Sequence, residues 1–298
     1  MNTITSPAPP TAPTGVLEKS AGYWRSVLAR LLRDKVAMAA AGVVLALLLL
    51  ALFGPWLTPA DPYQASMMSR LKPIGSAGFP LGSDELGRDL LSRLIVGTRL
   101  SLFIGLTPVF CAFIIGTAIG ILAGFAGGWT NTVLMRTIDV FYAFPSVLLA
   151  IALSGALGAG IFNSLISLTV VFIPPIARVA ESVTTQVRGR DYVEAARASG
   201  ADAFTIVRVH VLGNVLGPIF VYATSLIAVS MILASGLSFL GLGVKPPEPE
   251  WGLMLNTLRT AIYSQPWVAA LPGAMIFITS IAFNLLSDGL RSAMDNKG

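Results

Sequence analysis

Apolar and polar residues follow one another along this chain in long blocks, not in the short periods of a water-soluble domain. Runs dominated by Leu, Val, Ile, Ala and Phe cover 36–57 and about 100–125, 140–157, 161–180, 219–237 and 268–286. About 20 apolar residues in a helix cross a hydrocarbon layer of about 30 Å. The pattern predicts an all-α membrane protein with six transmembrane helices. Two polar intervals, 58–98 and 188–213, stand apart from these runs. The second holds Arg188, Arg190, Asp191, Glu194, Arg197, Asp202, Arg208 and His210. A charged side chain at the bilayer centre costs roughly 2.5–3.5 kcal/mol, so this interval belongs in water beside the membrane.

Composition agrees. Only 12% of the residues are charged, about half the usual share of a soluble domain. The net charge of +5 does not point to nucleic acid, because the basic residues are spread among the apolar runs. Retention of Lys and Arg on the cytoplasmic side accounts for it. Cys111 is the single cysteine and can form no internal disulfide. Residues 1–35 read as a disordered, basic cytoplasmic N-terminus, with a Pro/Thr/Ala tail followed by Lys19, Arg25, Arg30, Arg33 and Lys35. The run 36–57 is too long for a signal peptide and reads as an uncleaved first span, N-terminus inside.

The interval 188–213 reads as two short helices around a glycine. Asp191 is placed to N-cap the first, with Glu194 at capping-box spacing. Tyr192, Ala195, Ala196 and Ser199 share a face of mostly small residues. Gly200 stands where a left-handed C-terminal cap is needed, and Asp202 can cap the next helix. That helix groups Phe204, Val207 and Val211 on one side. The plain alternative is an ordinary inter-helix loop with Glu194 capping its own helix.

Glu194-Ala195-Ala196, with Gly200 six residues after the Glu and His210-Val211-Leu212-Gly213 beyond, resembles the EAA loop of ABC-importer permeases. Gly213 stands where that family usually has proline, so a looser turn is expected there. Residues 79–94 and 237–252 resemble the C-type permeases of dipeptide, oligopeptide and nickel importers, as do the matched segments together from about 36 to the C-terminus. Ser287 departs from that family's usual glycine. The resemblance implies a type I ABC-importer transmembrane domain in a bacterial inner membrane. It implies a core over 99–288, an extracytoplasmic segment over 58–98 and a cytoplasmic tail over 289–298. It also makes 188–213 a cytoplasmic coupling loop that docks on an ATPase through Asp191, Glu194, Ala195, Ala196, Gly200, His210, Leu212 and Gly213. The implied partners are a second homologous permease, two cytoplasmic ATPases and an extracytoplasmic binding protein. Dipeptides, longer peptides, glutathione, opines and nickel complexes are all cargo of such permeases.

Six spans with the N-terminus inside place most basic residues on the cytoplasmic side, although Arg70, Lys72, Arg88, Arg93 and Arg99 make the outer segment unusually basic. Asp139 and Arg136 are expected to pair along one helix. Pro174-Pro175 is expected to kink or unwind the fourth span and is a candidate for lining a pathway. Trp251 and Trp267 suit an interfacial position. His210, the single histidine, reads as a surface or cap-bonded residue. No Gly-x-x-x-x-Gly-Lys-Ser/Thr loop, nucleophile–His–acid set or metal-ligand cluster stands in the sequence. The chain therefore reads as a transport subunit and not an enzyme, with no cofactor of its own, ATP being bound by its partners. A secondary transporter would instead show interrupted helices in matched halves and buried coupling charges. A passive channel would need no docking loop.

Overall fold

The computed structural model describes residues 23–294. The chain opens with α1 (Tyr23–Leu31), a short helix against the C-terminal end of the last span, with Val27 buried. Part of the interval expected to be disordered is therefore helical, whereas the expected disorder of residues 1–15 lies outside the described residues. Helix α2 (Lys35–Leu57) begins at Asp34, whose Oδ1 accepts from the N–H groups of Val36 and Ala37 at 2.9 and 3.1 Å. Irregular chain then runs to Asp89, the cap of α3 (Leu90–Ala126), which binds the Ser92 N–H at 2.8 Å. At 37 residues α3 is about 55 Å long, well beyond the hydrocarbon thickness. The expected entry helix and second span are thus one rod.

The third apolar run is broken. Helices α4 (Gly128–Tyr142) and α5 (Ser146–Leu157) meet at 87°. Pro145 supplies no N–H and biases Phe144 away from helical angles, so the span expected over 140–157 turns here. Five described helices are long and apolar enough to cross a membrane, or six counting this bent pair as one.

Helix α6 (Ile161–Arg188) runs eight residues past the expected end of its span and passes through Pro174 and Pro175 without interruption. Its packing holds it. Gly116, Gly120 and Gly124 of α3 form a groove in which a Cβ at Gly120 would run into the Ala177 carbonyl and Ala180. Close backbone approach is what small residues allow between helices in lipid.

Beyond α6 come α7 (Asp191–Ala198) and α8 (Ala203–Ile206). A π-helical turn, Val207–Val211, leads without a break into α9 (Leu212–Phe239). Helix α10 (Trp251–Thr257) packs on α9 and α3 at the end opposite α7, and α11 (Pro266–Met294) completes the bundle. The expected tail is therefore helical as far as Met294. One buried cluster joins α3, α6 and α9 through Leu168, Ile176 and Ile219; a second joins α2, α3, α10 and α11 through Leu94, Trp251 and Val268.

Candidate functional site

Helix α7 stands at the end of α6 as a knob. Val193 is fully buried and seats it, packing into the cluster that also holds Ile206 and Val211. Asp191, Glu194, Ala195 and Gly200 are exposed, Ala196 half-buried. The cap differs from expectation. Arg190 is the N-cap residue and Asp191 the first helical one, with the Glu194 N–H donating to the Arg190 carbonyl at 3.2 Å. No capping box forms, and the two carboxylates act on the positive end of the helix instead. Gly200 does take the left-handed conformation, φ +83°. Around it the Ala201 N–H donates to Ala196 O and the Gly200 N–H to Arg197 O, both at 3.1 Å, a Schellman closure.

Asp202 caps α8 as expected, accepting from the Thr205 N–H at 3.3 Å, and hydrogen bonding from the Thr205 hydroxyl and then its N–H lowers its carboxyl from the ordinary value. Phe204 is exposed, apart from buried Val211, so the expected grouping is not a buried face. The turn expected at Gly213 is absent: Gly213 lies exposed inside α9. The π turn runs straight on into α9 instead, and the Asn214 side chain donates to the His210 carbonyl at 2.7 Å. His210 is half-buried beside the Tyr192 ring, and Leu212 is half-buried behind it.

Around this end of the bundle the spans are tied by polar contacts. Arg178 of α6 pairs with Asp139 of α4 and lies 5.8 Å from the Tyr142 ring centroid, while Arg136 stands 4.0 Å from the same acid. Asp139 is thus shared, not held by the helical pair alone. Asn131 donates to Glu181 at 2.7 Å.

The opposite end holds a second polar cluster, and it is buried. Asp84 receives the Nε of Arg88 at 2.6 Å, with the Nε of Arg93 at 3.4 Å, and accepts the backbone N–H groups of Leu86 and Arg88 at 2.9 Å. Arg93 also donates to the carbonyls of Pro62 (2.9 Å) and Pro247 (3.4 Å). Glu250 caps α10, accepting from Gly252 and Leu253 at 2.8 Å, and burial pushes its carboxyl above the usual range. Trp251 is fully buried, its indole N–H donating to Leu94 O at 3.2 Å, so it is a core residue and not an interfacial anchor.

Residues 116–297 match the family model "Binding-protein-dependent transport system inner membrane component", and residues 22–73 match "N-terminal TM domain of oligopeptide transport permease C". The chain belongs to this family. It is the permease subunit of an ABC importer.

The permease is 42% identical over 274 residues to a glutathione transport system permease protein of Pectobacterium atrosepticum, covering 92% of this chain and 91% of the relative. It is 41% identical over 280 residues to a di/tripeptide transport system permease protein of Pseudomonas aeruginosa, covering 92% and 91%. Among solved structures, inward-facing MetNI methionine ABC transporter superposes with a TM-score of 0.56 over 68% of this chain and 97% of that one; at 19% identity the likeness shows the fold.

The structure brings the residues of 191–213 together at one end of the permease. It leaves Pro174 buried and Pro175 half-buried inside α6. Sequence reasoning missed the buried cluster at the end opposite α7. Asp84 and Arg88 stand four apart and were legible as neighbours, but Pro247 and Arg93 are 154 positions apart.

Proposed function

We propose that the permease moves peptides or a related small solute such as glutathione into the cell, driven by two separate ATPases that dock on α7 and α8. A second, homologous permease completes the pathway, and an extracytoplasmic binding protein delivers the cargo. The observation that carries the coupling role is the knob itself: a short helix seated through buried Val193, yet showing small exposed residues to solvent. A surface of Ala and Gly admits close approach by a partner cleft. Arg30, Arg33, Lys35, Arg136, Arg188, Arg190, Arg197, Arg208 and Arg291 all stand at this end of the spans, which favours a cytoplasmic knob and cytoplasmic termini. At the other end Arg88 and Arg93 share Asp84, which offsets one of the positive charges of the outer segment. The two named relatives motivate a peptide or peptide-like cargo.

Ala195→Arg tests the docking. The added side chain points into solvent and leaves the core untouched. Co-purification of the ATPases and peptide uptake by the reconstituted importer should both fall about tenfold or more, equivalent to losing at least about 1.4 kcal/mol of docking free energy. Membrane level and thermal stability should be unchanged. Undiminished ATPase binding and uptake would remove α7 from the docking surface.

A further inference from the structure

Residues 79–94 and 237–252 meet at the outer end of the permease, away from the knob. Beside them, against α3, lies a cavity of about 670 Å³. Leu100 and Phe103 form its apolar wall, and Asp61, Tyr63, Arg99 and Glu248 its polar rim. The rim is held in place from below. Buried Arg93 grips the carbonyls of Pro62 and Pro247, fixing both segments that carry the acids. Gly97 lets the Pro249 backbone lie on α3, since a Cβ there would sit 3.1 Å from that carbonyl oxygen. Tyr63 donates to Glu248 at 3.0 Å and positions its carboxylate. Arg99 is exposed and forms no ion pair with a described residue.

A free guanidinium at the edge of a span, facing a cavity with two carboxylates on the same rim, lacks its own anion. We propose that this cavity is a recognition site for the two charged ends of a short zwitterionic peptide, Arg99 pairing with the carboxylate and Asp61 and Glu248 receiving the ammonium group. The guanidinium fork matches a carboxylate bidentately. The volume falls in the range of about 300–1,000 Å³ that small-molecule sites occupy. The acids ride on chain outside the spans, on the side where a binding protein releases its cargo. The site rests on the reading that this cargo is peptide-like.

Occupancy can be read directly, apart from transport. Thr58 lines the same cavity, and Thr58→Cys in a Cys111→Ala background gives the permease one reporter thiol. The whole importer, with its second permease and ATPases, is reconstituted in phosphatidylglycerol vesicles and labelled from outside with a charged thiol reagent. A free dipeptide at about ten times its Kd should slow labelling about tenfold. Its C-terminal amide should protect far less, and Arg99→Gln should abolish protection while Arg99→Lys retains part of it. Equal protection in Arg99→Gln, or no protection in the parent, overturns the site. So does protection without peptide that appears only when phosphatidylethanolamine is added, which would make the occupant a lipid headgroup. Loss of the second permease on purifying Arg99→Gln would give Arg99 to that partner and also overturn it. Uptake by the same vesicles with the binding protein present is scored separately. Protection without peptide uptake upholds the site and removes the proposed cargo; uptake without protection does the reverse.

Discussion

Glu250 is a buried carboxyl group. It is held by the N–H groups of Gly252 and Leu253 at the start of α10, with the Ser101 hydroxyl 3.5 Å away. Those bonds favour the charged form, but burial outweighs them and raises the carboxyl above its ordinary value of 4.5. The folded state therefore keeps its proton to higher pH than the unfolded chain does. As pH rises from about 4.5 through the folded value, unfolding releases a proton and stability falls. Glu250→Gln keeps an acceptor at the cap but cannot ionise. Thermal unfolding of both proteins in detergent at pH 5 and pH 8 should show the variant gaining on the parent as pH rises. A difference in Tm independent of pH would mean that the carboxyl titrates alike in both states. This residue was not legible in the sequence, where it is one acid in a proline-rich stretch; its partner Ser101 lies 149 positions away.

At the scale of elements, local rules read well wherever partners were local. Gly200 was placed correctly because a helix end needs a left-handed residue, and nothing beyond α7 decides that. Asp202 followed for the same reason. Asp191 was misplaced by one position, since Arg190 takes the extended cap conformation and leaves Asp191 in the first turn. Of the kink or unwound turn expected at Pro174-Pro175, the unwound turn does not form, because α6 packs along the glycine groove of α3, which composition alone does not reveal. The break at Pro145 was missed because the apolar run over 140–157 continues through it, whereas α4 begins at Gly128, twelve positions before that run, and ends at Tyr142. Gly200→Val tests the cap. A left-handed non-glycine residue costs roughly 1–2 kcal/mol, worth a factor of about 5–30 in a local opening equilibrium. Amide exchange over 191–201 should speed up by that factor, with the spans unaffected. Unchanged protection would show that the knob does not depend on its closure.

Across the whole molecule, the two ends are built differently. The end that carries Asp84 and Arg93 is tied by buried ions and by chain segments clamped on α3, so it holds a shape. The end that carries α7 presents an exposed helix seated through a single fully buried side chain. From that seat the chain passes through the π turn into α9 with no loop between, so a push on α7 or α8 is delivered to a span that also packs on α3, α6 and α11. Packed interfaces of this kind switch between arrangements and do not bend continuously. If the knob transmits the state of the ATPases, loosening its seat should separate hydrolysis from transport. Val193→Asp puts an unpaired charge where no partner waits, a change costly enough to lift α7 from its seat. The assembled importer should keep hydrolysing ATP while peptide taken up per ATP falls about tenfold, as expected when about 1.4 kcal/mol of coupling is lost. The ratio of uptake to phosphate released in vesicles measures this. An unchanged ratio would place the coupling elsewhere, in α8 or the π turn, whose Ile206 and Val211 would then be the residues to loosen.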